Sequence, residues 1–256
     1  MKLTTIGVMA AGLLAMGSIA TVASAQCPPL NPPSSVMIEF DANCFAYEAN
    51  YNNGTYMSTA GNVLTVVGII DKFYSPLAFL NPADPSKEYT FVVTGLTSLG
   101  TITTLNGPTT NWDTDYSGGT FAIYEGSPED APLAGAMNSN PPGGATVPAN
   151  FQNGTQILTG DLCGFHVNVN RTGTNVGGSF ASTYKFTNPN APGAPPVGNL
   201  FNGVGDGQAF FGGLWCERTG GCRPTGYRAH PNGKWDSPPT TATSRSTWGT
   251  LKQLYR

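Results

Sequence analysis

The sequence predicts an all-β protein, and three observations carry that prediction. Apolar and polar residues alternate with period two in segment after segment of the 256-residue chain, the signature of half-buried strands. Those segments are separated by clusters of Gly, Pro, Asn and Asp, drawn from 33 Gly and 21 Pro, which punctuate short strands with turns. Beyond the N-terminal segment, no stretch up to the last residues sustains a 3.6-residue apolar period over three turns. Short antiparallel strands at this spacing imply a single β-sandwich or an irregular β-barrel with long Gly/Pro/Asn-rich loops. Only 11% of residues are charged, which argues against disorder of the highly charged kind.

In chain order, residues 1–25 read as a signal peptide. Lys2 is the positive start, an apolar stretch follows, and Ala23-Ser24-Ala25 is the small-x-small cleavage site, giving a mature chain from Gln26. No later run is long enough to span a bilayer as a helix, so the expectation is a secreted or cell-surface protein with no transmembrane segment after cleavage. The β domain is expected over residues 26–235. Val36, Ile38 and Phe40 alternate, with Glu39 on the other face. Residues 63–70 are apolar on both faces, as in a central strand. Tyr89, Phe91 and Val93 alternate, and residues 102–105, 121–124, 157–162, 165–169, 180–186 and 208–215 continue the series with β-branched and aromatic side chains. Residues 188–206 read as a long loop or as a boundary before the last strand. Residues 236–247, rich in Pro, Thr and Ser, form a linker, and residues 248–256 form a short amphipathic helix with Trp248, Leu251 and Tyr255 on one face. Such a helix is marginal alone, so Trp248, Leu251, Lys252, Tyr255 and Arg256 are expected to act as a docking or sorting tail.

Charge is unevenly distributed. Residues 26–215 hold four basic residues against thirteen acidic ones, a net of −9, whereas residues 216–256 hold seven basic ones against Glu217 and Asp236, a net of +5. An acidic body gives no footprint for nucleic acid. The basic end is expected to dock on the acidic body or on an anionic surface polymer.

All five cysteines lie in the exported part, where disulfides persist. Cys216 and Cys222 flank a turn-forming Glu-Arg-Thr-Gly-Gly and are expected to be bridged; Cys27 and Cys44 would staple the N-terminus to the first strand. Cys163 alternates in phase with Phe165, Val167 and Val169, which points its thiol into the core.

Four chemistries are worth testing on the residues. Asp113, Asp115 and Ser117, followed by Gly118, match the start of a calcium loop, but the twelfth position is Tyr124 and not a bidentate Glu. Glu39 and Asp41 match two thirds of the Glu-x-Asp-x-x-Glu strand of jelly-roll glycosidases, but the sixth position is Cys44. Ser179 follows two glycines, yet the residues after it alternate as a strand, unlike a nucleophile elbow. Trp112, beside two aspartates, is a candidate platform for stacking a sugar ring. Together these lead to a secreted structural or adhesive protein without catalytic activity. The alternative is a carbohydrate-binding module, with or without calcium, and a jelly-roll hydrolase ranks last.

The ending Trp248-Gly249-Thr250-Leu251-Lys252-Gln253-Leu254-Tyr255-Arg256 resembles the terminal tails of secreted bacterial proteins. The stretches Glu88-Tyr89-Thr90-Phe91-Val92-Val93-Thr94-Gly95-Leu96 and Gly119-Thr120-Phe121-Ala122-Ile123-Tyr124-Glu125 resemble strands of exported β-rich proteins of PEP-CTERM type. The Pro-Glu-Pro motif and following membrane helix of that type are missing. The resemblance implies a surface or matrix location, with a surface polymer or the export machinery as partner of the tail.

Overall fold

A computed structural model describes residues 36–40, 43–51, 54–75, 77–132, 147–187, 209–217, 222–223 and 226–236. The signal peptide, Cys27, the expected loop at 188–206, the linker beyond Asp236 and the tail with Trp248, Leu251, Lys252, Tyr255 and Arg256 lie outside the described residues, while Asp236, expected to open the linker, is the last residue of a strand. Among the described residues ten strands follow one another: β1 (Val36–Phe40), β2 (Cys44–Glu48), β3 (Val63–Ile69), β4 (Lys72–Phe73), β5 (Glu88–Asn106), β6 (Thr109–Gly126), β7 (Thr155–Thr172), β8 (Asn175–Phe186), β9 (Ala209–Cys216) and β10 (His230–Asp236). They form one antiparallel sheet in the order β2-β3-β5-β6-β7-β8-β9-β10-β1-β4.

The sheet curls until its ends meet. β1 pairs with β10, and four residues after β1 the same chain, as β2, bridges back to the start of β10 through Ala46 and Ala229. β1 and β2 therefore behave as one bent strand, flanked by β10 on one side and by β4 and β3 on the other. This is the barrel-like branch of the sequence expectation.

Several strands are much longer than the alternation alone suggests. Residues 89–93 and 102–105 read as two strands but belong to β5, which is 19 residues long. The glycines between them mark bulges, where one extra residue bends a strand without ending it. The same device reverses the expectation for Cys163. The β7–β8 register shifts between Leu162 and Phe165, with Gly164 at φ 83°. Leu162 and Phe165 both face inward, so Cys163 falls on the outer side, half-buried, instead of in the core.

Aromatic side chains fill the concave face. Phe211 stacks on Trp235 at 4.2 Å between ring centroids, Phe91 meets Trp235 at 4.8 Å, and Phe40 meets Phe91 at 4.8 Å. Phe121, Phe165, Phe180, Tyr184 and Trp215 complete the filling, all buried. A second, smaller apolar layer lies on the outer face of β2, β3, β5 and β6. There Phe45, Tyr47, Val67, Val92 and Ala122 pack with Phe151, from one turn of 3-10 helix at Ala149–Phe151, and with Tyr227. β3 is thus covered on both sides, which explains its unbroken apolar run.

Candidate ligand groove and buried ion cluster

Inside the barrel, the residues that lead into β10 carry a charge. Arg228 is fully buried, and its guanidinium is held by two carboxylates: Nη1 donates to Glu48 and Nε donates to Glu217 Oε1 at 3.0 Å. Nη1 also donates to the Tyr116 hydroxyl, which in turn donates to Glu48 Oε2 at 2.9 Å. Ser58 and Asn62 donate to Glu48, while Tyr51 and the Trp215 indole donate to Glu217. The Arg228 guanidinium also lies over the rings of Tyr51 and Trp215, at 4.8 and 5.6 Å. Burial works against the charge on Arg228, but Glu217, Tyr116 and Glu48 outweigh it and hold its pKa well above the usual arginine value. Burial, with the neighbouring carboxylates adding to it, raises the Tyr51 and Tyr116 phenols, so both stay protonated donors. One basic residue of the C-terminal region, Arg228, thus pairs with Glu48 of the acidic body as well as with Glu217 of its own region. The charge asymmetry of the sequence points to such a contact without locating it.

On the outside, β1, β4, β9 and β10 form an open groove of about 680 Å3, lined by Glu39, Asp71, Lys72, Leu214, Asn232 and Lys234 above glycines 212, 213 and 233. The pairing register explains its shape. Glu39 stands opposite Lys234 on one side and Lys72 on the other, and the next position beyond Lys234 is Gly212. The row therefore reads Gly212, Lys234, Glu39, Lys72 across four strands. Gly212 lets the Phe210 ring lie against the strand, since a Cβ there would come within 2.4 Å of Phe210 Cζ, and Lys234, Glu39 and Lys72 flank the groove beside it. Tyr74 donates to Glu39 Oε2 at 2.6 Å, and the Lys72 ammonium lies 4.7 Å from the centre of the Tyr74 ring. Leu214 beside them is 66% exposed. Two carboxylates, two ammonium groups and one amide thus alternate as acceptors and donors around an apolar patch, with their formal charges balanced.

The sequence-derived candidates are distributed differently. Asp113, Asp115 and Ser117 sit in β6, a continuous strand and not a turn-forming loop. Their side chains alternate along one outer face, so consecutive ones are spaced by roughly 7 Å instead of converging as ligands in a calcium loop do. His166 lies across from them: its Nδ1 is 2.8 Å from Asp115 Oδ1 and its Nε2 is 3.5 Å from Asp113 Oδ1, while Asn168 donates to Asp113 at 2.7 Å. Among the described residues, no group of three or more His, Cys, Asp or Glu is arranged to hold a metal ion. Trp112 is buried, not exposed: it packs on Tyr56 with ring centroids 4.8 Å apart, and the Arg171 guanidinium lies 5.7 Å from its ring. Its position on the inner side of β6 follows from the alternation with Thr114 and Tyr116. Ser179 lies in β8 and not at a strand–helix elbow.

Cys216 and Cys222 are bridged, with Cα atoms 6.1 Å apart, tying the end of β9 to the segment before β10. Cys44 is buried in the core and bridges to no cysteine among the described residues, its expected partner Cys27 lying outside them; burial followed by the nearby Asp71 charge raises the thiol's pKa.

Of the groove residues, only Glu39 was singled out by sequence motif. Asp71, Lys72, Asn232 and Lys234 join it through pairing between strands far apart in the chain, which no local pattern encodes. What fold and site define together is a meandering antiparallel barrel, solid inside, with a polar groove on its outer wall. Comparison with protein-family models, with curated proteins and with solved structures finds no match for the chain.

Proposed function

We propose that the protein is an exported, non-catalytic adhesive β-barrel that binds a polyhydroxylated surface or matrix polymer through the groove of β1, β4, β9 and β10. The observation that carries this reading is where space exists. The interior of the described strands is packed with aromatic rings, which favours a ligand met on the outer wall, and the groove is a concave polar surface there. Its chemistry suits hydroxyl groups: Glu39 and Asp71 accept, Lys72, Lys234 and Asn232 donate, and the Leu214 side chain can cover the apolar face of a sugar ring. The balanced charge favours a neutral polymer over a polyanion. In this reading the tail beyond residue 247 delivers or retains the protein at the surface, and the groove holds the polymer.

Titration against a panel of neutral polysaccharides, with and without calcium, tests the proposal. Saturable binding that weakens at least tenfold in Asn232→Ala combined with Lys234→Ala supports it. A panel without saturable binding refutes it. A hydrolase reading draws on the Glu39 and Asp71 carboxylates sharing one groove. Turnover of a glucan that disappears in Glu39→Gln would replace the adhesive reading with that one.

A further inference from the structure

We propose that the Cys216–Cys222 bridge is a redox latch on the buried ion cluster, so that Glu217 is seated on Arg228 only in the oxidised chain. β9 ends at Cys216, whose pairing with His230 is the last between β9 and β10. Glu217 follows beyond that ladder, yet its carboxylate reaches Arg228 in the interior. Two links fix its main chain, and they run side by side. The bridge joins Cys216 to Cys222. One residue further on at each end, Arg223 Nε donates to the Glu217 carbonyl oxygen at 3.1 Å. Arg223 Nη1 also donates to the carbonyl oxygen of Tyr227, the neighbour of Arg228. The anchoring thus runs from the bridge through Arg223 to both members of the ion pair, which makes Arg223 a positioning residue.

A hydrogen bond such as that of Arg223 contributes modestly by itself, whereas a covalent link removes many of the arrangements open to an unbridged segment. Without the bridge, Glu217 is free to leave a site where its carboxylate is buried and where desolvation favours escape to water. Its departure takes away the acceptor of the Trp215 indole and of the Tyr51 hydroxyl, and leaves buried Arg228 with Glu48 alone. The latch closes by thiol–disulfide exchange. The Cys216 and Cys222 thiols give up two protons and two electrons to a disulfide-bearing oxidant, whose own disulfide becomes two thiols. A reducing compartment holds the pair as thiols, so the cluster is completed only once the chain meets an oxidising one.

A chemical reductant would also act on a Cys27–Cys44 bridge, so the test removes the pair by substitution. Hydrogen exchange at the indole N–H groups of Trp215 and Trp235 is compared in the oxidised mature chain, in Cys216→Ser with Cys222→Ser, in Arg223→Ala, and in all three substitutions together. Trp215 donates to Glu217 at 2.7 Å, whereas Trp235 is stacked on Phe211 in the aromatic core. Loss of the bridge should lower protection at Trp215 by about tenfold or more while Trp235 changes far less. Arg223→Ala should do the same, and should add little once the bridge is gone. Equal losses at both indoles, an unchanged Trp215, or additive effects of bridge and Arg223 would each overturn the inference. Urea unfolding supplies a second reading. In the charge-free background Glu48→Gln, Glu217→Gln, Arg228→Met, the two serines should shift the midpoint at most about half as far as in wild type; equal shifts would show that the bridge acts without the ion cluster.

Discussion

Replacing Arg228 with methionine keeps an aliphatic stem of similar reach but removes the cation paired with both the Glu48 and the Glu217 carboxylates, whereas Arg223 donates to the main-chain oxygen of Glu217. Both carboxylates are buried, at 8% and 2% exposure, and both would be left to pay desolvation without a counter-charge. Removing one partner of a buried pair typically costs about 3–5 kcal/mol. Arg228 serves two acids at once, so the upper half of that range applies, a large share of the ~5–15 kcal/mol that keeps a domain folded. With a urea slope of about 2 kcal/mol/M, the unfolding midpoint should fall by about 2 M. The triple variant Glu48→Gln, Glu217→Gln, Arg228→Met removes the charges together and should recover much of the loss, because neutral amides need no cation. Urea unfolding followed by tryptophan fluorescence reads this directly, since Trp215 touches the cluster. A midpoint for Arg228→Met within 0.5 M of wild type, an effect below about 1 kcal/mol at that slope, would refute the reasoning. So would a triple variant less stable than the single one.

Three other outcomes are expected. Burial raises the Tyr47, Tyr51, Tyr116 and Tyr184 phenols above their ordinary value near 10. The unfolded chain therefore loses these protons first, so the stabilisation is complete below about pH 10 and declines as pH rises above it, by up to ~1.4 kcal/mol per pH unit per tyrosine. The phenolate absorbance of these four tyrosines should then appear together with unfolding and not before it. Gly213→Val should destabilise the barrel by about 2–4 kcal/mol, because a Cβ there would lie 2.0 Å from the Asn232 carbonyl oxygen; a thermal midpoint equal to wild type would contradict this. Deleting residues 246–256 should leave the midpoint unchanged while shifting the protein between cell surface and medium. A drop of several degrees would make the tail a structural element instead.

The legible part of this chain is its period-two alternation. Phe91, Val93, Phe121, Phe165, Val167 and Phe180 all lie on the buried face, as their phase requires. Three kinds of information escaped. Bulges carry no strong local signal, so the alternation of Cys163 with Phe165, Val167 and Val169 points it inward, while the register shift at Gly164 turns it outward. Aspartates, serine and glycines in series read as turn chemistry, but the alternation of Trp112, Thr114 and Tyr116 between Asp113, Asp115 and Ser117 is that of a strand, and this was the available signal. The third kind is long-range pairing. Glu48 and Arg228 stand 180 residues apart, and Glu39 meets Lys234 only because the sheet closes on itself. A basic C-terminal region beside an acidic body hinted at attraction, but the partners follow from register. The strand at His230–Asp236, with a proline and a glycine inside it, has little of the composition of a strand and is recognised only from its pairing.

The central claim is that the outer groove is where this protein meets its ligand. Backbone amide shifts of the labelled protein, recorded while a bound neutral polysaccharide is titrated in, test it most directly. The account predicts that the perturbed amides cluster at Glu39, Lys72, Gly212, Gly213, Leu214, Asn232 and Lys234, while those of Trp112, Asp113 and His166 stay in place. Perturbation centred on β6 and β7 around Trp112, with the glycine-floored groove silent, would contradict it.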